Sequence, residues 1–462
     1  MIDQPVLERV LGEALRHGGT FAEVFAEDRS TSSALLDDGR VEQLSSGHDR
    51  GAGIRVVVGE TTGFAHTADL SEAGLLAAAR AAAAVARSAG GARTVTAPLT
   101  PAAGPVDRGT EATGAASKAD VLELLKRADD TARSAGGAIS QVQAGYGGSR
   151  RRILVANSDG VHHRDDQMRT RFSVSCVAVG DSGMQTGFET AARTVGFELF
   201  DEISVEDLAN EAAVRALTKL AARPAPSGEL PVVLAGGSGG ILFHEACGHG
   251  LEADHIAKDA SVYTGKVGQL VASPLVTLVD DGTVGTEWGT AGIDDEGRPS
   301  QRNVLIENGV LTDYMWDFLR ARADGRASSG NGRRQSYQHL PMVRMTNTFL
   351  LPGADDPAEI VAQTPKGVYV AKLGGGQVNT TTGDFVFGTT EAYLIEDGKI
   401  TEPLRDANLI GNGPEVLRRV DAVADDFAMT PGTCGKDGQS VPVGCGQATL
   451  RITGVTIGGT AA

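Results

Sequence analysis

The chain has 462 residues, of which 41% are apolar, enough to bury real cores and to exclude wholesale disorder. Lys+Arg number 42 and Asp+Glu 59, a net charge of −17 that argues against nucleic-acid partners and anionic membrane surfaces, since both want a cationic protein face. Aromatics are only 5% and glycines number 61, so the cores should lean on Ala, Val and Leu between many glycine turns.

Residues 5–17 read as an amphipathic helix, with Val6, Leu7, Val10, Leu11, Ala14 and Leu15 at helical spacing and Gly18 placed to end it. Asp38-Gly39 between apolar runs signals a hairpin, and Ile54 to Val58 with Thr62 to His66 reads as another pair of strands around Gly59. Residues 71–88 form an Ala-rich helix. The Ala/Thr/Pro/Gly-rich stretch that follows is the best linker. A second helix–strands–helix unit has helices at about 118–135 and 205–222, with Ile153-Leu154-Val155 and Arg171 to Val179 as strands. The shared order hints at duplication, although no fixed-period repeat is visible.

Pro224, Pro226 and Gly228 mark the next boundary. After Leu230 to Leu234 come a Gly-rich turn and a helix, then hairpin signals at Asn308-Gly309 and Asp397-Gly398, with a further one at Asp281-Gly282. The expected fold is α+β. A 1–90 N-terminal α/β unit, a 91–117 linker and a 118–224 second α/β unit precede a 225–462 C-terminal domain, mainly antiparallel β, that carries an irregular metal-binding helix. No run approaches the roughly 18 apolar residues of a spanning helix, and no secretory signal is visible after Met1. The four cysteines, Cys176, Cys247, Cys434 and Cys445, are too few for a disulfide framework and read as reduced thiols in a cytoplasm.

The strongest chemical signal is His244-Glu245-Ala246-Cys247-Gly248-His249. Two imidazoles can hold Zn²⁺, and the carboxylate beside the first can take a proton from the attacking water. The two histidines are five residues apart, which on a regular helix at 100° per residue places them roughly 140° apart. Both cannot then reach one metal, so the turn at 244–249 should be irregular. It should be broken at Gly248 or rewound as a π-turn with i→i+5 hydrogen bonding. A third ligand is expected from nearby Cys247, Glu252, Asp254 or His255, or from distant Cys434 or Cys445, with Cys247 a poor fit because it lies between the histidines. Lys436 stands where it could lower a neighbouring thiol's pKa.

With these motifs the sequence resembles the TldD/PmbA metallopeptidases, on the TldD side. The resemblance rests on His244 to Gly250, on Gly330-Asn331-Gly332-Arg333-Arg334-Gln335-Ser336-Tyr337 with Arg344 to Thr348, and on the Cys434 segment, and it covers nearly the whole chain. It implies zinc held by His244, His249 and Cys434, with Glu245 as the general base. It also implies a barrel-like dimer, often with a TldE/PmbA-like subunit lacking the zinc motif, a homodimer being the other arrangement. Substrates of such a family are unfolded peptides, including modified-peptide precursors, bound extended as an added strand. The expected activity is a zinc-dependent peptidase. The rival readings are a non-catalytic peptide-binding subunit of a peptidase complex, and a zinc hydrolase of non-peptide amides.

The remaining features read more plainly. Gly236 to Gly240 lacks phosphate-loop spacing and reads as a close-packed turn that delivers the metal helix. Gly374-Gly375-Gly376 suits either a close approach of substrate backbone or a plain loop. Arg333, Arg334 and Tyr337 read as peptide-orienting groups or as structural salt-bridge partners. Asp294-Asp295-Glu296 reads as a solvated loop, and Cys176 and Cys445 as small core residues.

Overall fold

The computed structural model describes residues 1–59, 61–86, 100–101, 117–181 and 183–459. Most of the expected 91–117 linker lies outside the described residues. The labelled elements are α1 (Gln4–Leu15), β1 (Phe21–Asp37), β2 (Arg40–Val58), β3 (Thr61–Thr67), α2 (Glu72–Val85), α3 (Lys118–Ser134), β4 (Ile139–Asn157), β5 (Val161–Gly180), β6 (Gly183–Arg193) and α4 (Val205–Ala221). There follow β7 (Gly228–Leu234), β8 (Leu278–Asp281), β9 (Arg302–Glu307), β10 (Asn347–Leu350), β11 (Lys366–Val378), β12 (Asp384–Glu396), β13 (Asn408–Asn412), β14 (Ala428–Lys436), β15 (Gln439–Gln447) and β16 (Leu450–Gly458).

Each N-terminal unit repeats one plan. A helix, an antiparallel three-strand meander and a second helix follow in order. Ser71, Ser117 and Ser204 cap three of the helices by accepting backbone N–H bonds from three residues on. The β1–β2 turn places both Asp38 (φ 49°) and Gly39 (φ 74°) in the left-handed region that a two-residue hairpin turn requires. The two units also share a packing device. A Cβ on Gly63 of β3 would strike the carbonyl of Ala82 in α2, and one on Gly187 of β6 would strike the carbonyl of Ala212 in α4. Only glycine lets each edge strand lie this close to its alanine-faced helix.

The units do not stand as separate bodies. Strand β1 pairs antiparallel with β4 from Glu23–Asn157 to Asp37–Gln143, which fuses both meanders into one sheet. Even-numbered β1 residues such as Ala22, Val24 and Leu36 face the four helices. The odd-numbered face turns Phe25, with Ile153 and Val155 of β4, toward Ile293 and Tyr337 of the C-terminal unit.

In that unit β7, β16, β13, β12 and β11 pair in a closed ring, because β11 bonds both β7 and β12. Closure leaves those strands no open edge where they pair. A second sheet runs β9-β8-β10-β15-β14, so that β14 is an edge strand. The Asn308-Gly309 and Asp397-Gly398 hairpins form with both residues at positive φ, and Asp437-Gly438 joins β14 to β15 in the same way. Asp281-Gly282 does not make a tight hairpin. Asp281 instead accepts the backbone N–H of Thr283 at 2.8 Å, and a long loop runs to β9 at Arg302.

That loop corrects one expectation. Asp294, Asp295 and Glu296 are buried rather than solvated. Glu296 bonds Arg55 at 2.8 Å and Asp295 bonds Arg151 at 2.8 Å, while Arg55 and Arg334 both reach Glu23. Asp295 and Glu296 thus meet arginines of the first sheet and enter the interior with charge partners, while Asp294 accepts backbone N–H groups of Glu296, Arg298 and Gly332. Among the described residues no helix is long and apolar enough to cross a membrane.

Gly187→Ala should destabilise the fold by about 1–3 kcal/mol through overpacking against Ala212, and Gly63→Ala by a similar amount. Thermal or denaturant unfolding checks this; unchanged stability in both variants would contradict the close-approach account.

Candidate metal centre

Strand β7 ends at Leu234, and the Gly236–Gly240 turn then folds tightly against the strand from Gln439 to Gln447. Gly237 takes φ 104°, and a Cβ on Gly240 would collide with the backbone of Gly446. This is the close-packed delivery turn expected. A short α-turn, Gly240–Phe243, leads into a π-turn, His244–Gly248, and then a 3-10 turn, His249–Leu251. The His249 N–H donates to the His244 carbonyl, the i→i+5 bond that a five-residue stride needs. Gly248 is not the break: its φ is −55°, and it is glycine because a Cβ there would strike the Met345 sulfur.

The rewound turn brings the two imidazoles onto one side, with ring centroids 5.2 Å apart and planes at 84°. Strand β14 supplies the third donor: the Cys434 Sγ lies 3.4 Å from His249 Nε2. The donor atoms of His244, His249 and Cys434 all fall within 4.8 Å of one another, and all three residues are buried. Both ring nitrogens of His244 are buried without a hydrogen-bond partner. Unsatisfied buried nitrogens are costly, and a metal would satisfy one of them. Two imidazoles and a thiolate are a donor set that suits a divalent metal.

The supporting residues set the chemistry of the donors. Glu252 Oε2 lies 3.0 Å from His249 Nδ1, which leaves Nε2 facing Cys434. A carboxylate holding the far nitrogen of a ligand histidine fixes its tautomer and ring orientation. Burial alone would raise the Glu252 carboxyl, but His249 and Lys436 outweigh it and hold it down at about 2. Burial likewise would raise the Cys434 thiol, yet His244 and His249 pull it down to about 4. Lys436 acts otherwise than its place near Cys434 suggests. Its ammonium bonds Glu252 at 2.9 Å and Asp254 at 2.8 Å. That contact places a cation against both carboxylates of the group Glu252, Asp254 and His255, whose donor atoms also cluster together.

Other expected residues fall into place around this centre. Burial pushes the Cys247 thiol up to about 12 and the Cys176 thiol up to about 11, so both are inert core groups. Cys445 is buried on β15 and borders the same cavity as His244, outside the three-donor cluster. Arg333 bonds the carbonyls of Met345 and Pro442, and Arg334 bonds Glu23 and the carbonyl of Asp295. The Tyr337 N–H donates to Glu27. Arg344, unremarked in the sequence beyond its motif, donates to the Cys434 carbonyl and so holds the thiol strand in place.

Glu245 is the most exposed member of the centre, 26% exposed at its side chain, with Oε2 3.6 Å from His249 Nε2. It opens onto a cavity of about 800 Å³. The walls include His244, Glu245, Phe188 of β6, and Met429, Thr430 and Gly432 of β14. Gly374 to Gly376 also line it. The β11–β12 register slips between Leu373 and Gly376, so this stretch is strand rather than loop, with irregular pairing toward the cavity.

Comparison with known proteins matches the three parts of the chain in turn. Family models described as PmbA/TldA metallopeptidase domain 1, central domain and C-terminal domain match residues 22–86, 112–220 and 227–459. A Haemophilus influenzae protein named Metalloprotease TldD homolog is 41% identical over 95% of this chain and 93% of its own length. A Methanothermobacter thermautotrophicus protein named Metalloprotease is 35% identical over 95% of this chain and 96% of its own. The crystal structure of TldE from Thermococcus kodakarensis superposes with a TM-score of 0.77 at 20% identity, covering 98% of this chain and 99% of that one, which shows a shared fold.

The geometry predicts that Glu252→Gln weakens divalent-metal affinity by about 10–100-fold, as loss of an orienting carboxylate does. Competition against a chelator of known affinity measures it, and unaltered affinity would contradict the orienting role.

Proposed function

The chain belongs to the PmbA/TldD metallopeptidase family, and from that membership and its buried His–His–Cys cluster we propose that it is a zinc-dependent peptidase acting on unfolded peptides. The observation that carries this reading is the approach of His244, His249 and Cys434 to within 4.8 Å, with Glu245 at the cavity side of the group. One thiolate and two imidazoles favour zinc over the hard, oxygen-seeking cations. Zinc held by these three residues supplies Lewis acidity, lowering the pKa of water and polarising a peptide carbonyl.

The rest of the work falls to the chain's own groups. His249 stays in one tautomer because Glu252 holds its Nδ1. Cys434 enters as the thiolate. Glu245 takes the proton of the attacking water and passes it to the leaving amine. Its partial exposure lets it touch a substrate in the cavity, and its anchoring on the π-turn keeps it beside the metal-holding rings. Strand β14 is an edge strand whose Met429 to Thr433 run along that cavity. An extended peptide added to this edge would satisfy the open backbone groups and pass the metal centre.

On this reading the protein works in the cytoplasm as a dimer with a related subunit lacking the zinc motif, or with a second copy. The intact donor set disfavours the alternative of a purely peptide-binding subunit. Glu245→Gln should retain zinc by elemental analysis yet lose peptide cleavage by about 10²–10⁴-fold, measured with and without candidate partner chains. Undiminished turnover in that variant would remove Glu245 from the role of base.

A further inference from the structure

A second cavity, of about 370 Å³, borders the thiol strand at Thr433. Successive strand residues point to opposite faces, so Cys434 turns toward the histidines and Thr433 turns away. Thr433 lines this second cavity together with Ser440 and with Pro442, its cross-strand partner on β15. Thr433 also borders the catalytic cavity, so the two spaces meet at this residue of the free edge.

The far walls of the second cavity are basic, which is notable in a chain of net charge −17. Arg29 is half-buried there, and no carboxylate stands in ion-pair contact with it among the described residues. It sits opposite Arg151 in the β1–β4 register and opposite Asp49 in the β1–β2 register, so one of its cross-strand neighbours repels it and the other attracts it. Arg151 has its own partners, Glu27 at 3.0 Å and Asp295 at 2.8 Å. Arg333 is 7% exposed and bonds only the carbonyls of Met345 and Pro442, at 2.5 and 2.7 Å.

The two acids of the lining do little to offset these charges. Asp295 is committed to Arg151 and to the Arg334 N–H at 2.8 Å. Asp294 accepts the N–H groups of Glu296, Arg298 and Gly332, and burial beside Glu296 pushes its carboxyl well above the usual carboxylate range. Asp295 and Asp280 act on Arg333 through space and Asp49 stands opposite Arg29 across the β1–β2 pairing, yet neither arginine is in ion-pair contact with a carboxylate among the described residues. A planar guanidinium in a partly dry site is matched best by a carboxylate, through charge-assisted and often paired hydrogen bonds.

We propose that this cavity is a carboxylate subsite of the peptidase, receiving an acidic group of a substrate strand where that strand passes Thr433. The proposal rests on the peptidase reading and adds a substrate class to it. A peptide along the β14 edge sends alternate side chains to the two faces of the sheet. One set meets the metal centre, and the next residue along meets Arg29 and Arg333. Cleaved peptides should thus carry a carboxylate at a fixed register from the scissile bond. The source is an Asp or Glu side chain or a free C-terminus.

The test uses the zinc-loaded native assembly and a set of unstructured peptides. One Glu is scanned against Gln through an otherwise uncharged sequence, and each peptide is made with a free carboxyl or an amide end. Glu at one register, or the free carboxyl, should raise kcat/KM about tenfold over its neutral counterpart. Arg29→Gln should bring that ratio to within about twofold of one, and Arg29→Lys, which keeps the charge but not the planar fork, should retain only part of it, with thermal melting confirming that both variants fold. The same ratio is read by fluorescence anisotropy as peptide binding to Glu245→Gln protein.

Cleavage of the uncharged peptides with no preference at any register, or a preference that survives Arg29→Gln, overturns the subsite and leaves the peptidase reading standing. If no peptide is cleaved, the peptidase reading fails. The binding ratio then decides alone, and equal binding of the Glu and Gln peptides overturns the subsite.

Discussion

The whole arrangement hangs on one backbone hydrogen bond, from the His249 N–H to the His244 carbonyl. An ordinary i→i+4 helix would turn the two imidazoles away from each other. Adding one residue to the turn returns them to the same side, with Glu245 carried between them toward the cavity. A π-turn is seldom stable by itself and is common where function needs it. Here the packing on both sides holds it. The glycines at 240 and 248 admit the Gly446 backbone and the Met345 side chain to contact distance, and Phe243, Ala246 and Cys247 anchor the turn in the main C-terminal core.

The third donor comes from the far end of the chain, and its position depends on polar contacts rather than on the turn. Arg344 grips the Cys434 carbonyl, and Lys436 ties the same strand to Glu252, which holds His249. Strand and turn are thereby joined through a chain of charged groups with almost no exposure to water. Each buried charge left alone would be costly, and here each has at least one partner, although Glu252 Oε1 and Arg344 Nε are buried without a hydrogen bond. The same logic fastens the N-terminal sheet to the metal-bearing unit. Glu23 and Glu27 of β1 meet Arg334 and Arg151, and Arg55 of β2 meets Glu296. The sheet thus forms one wall of the cavity beside His244 and Glu245 at a defined position.

Much of this was legible from local sequence. The four long N-terminal helices follow from apolar spacing and alanine-rich runs, and the hairpins at 38–39, 308–309 and 397–398 follow from Asp-Gly and Asn-Gly dipeptides whose two residues both take positive φ. The irregular metal turn was legible because the five-residue histidine stride is incompatible with a regular helix. What sequence hid was long-range. Asp294, Asp295 and Glu296 look like a surface run, and the arginines that neutralise the last two stand 144 and 241 residues away. The fusion of both meanders into one sheet depends on the β1–β4 pairing, and nothing in the alternation of either strand names its partner. Lys436 looked like a thiol activator because it lies two residues from Cys434. Only the fold shows that it faces Glu252 and Asp254, and that the imidazoles depress the thiol.

The central claim is that two imidazoles and one thiolate bind a single zinc ion, and X-ray absorption at the zinc edge of the metal-loaded protein tests it most directly. The account predicts a first coordination shell with one sulfur at about 2.3 Å and light N/O scatterers, imidazole among them, at about 2.0–2.1 Å, the sulfur being lost in Cys434→Ser. A shell without sulfur in the native protein, or a sulfur contribution that persists in Cys434→Ser, would contradict it.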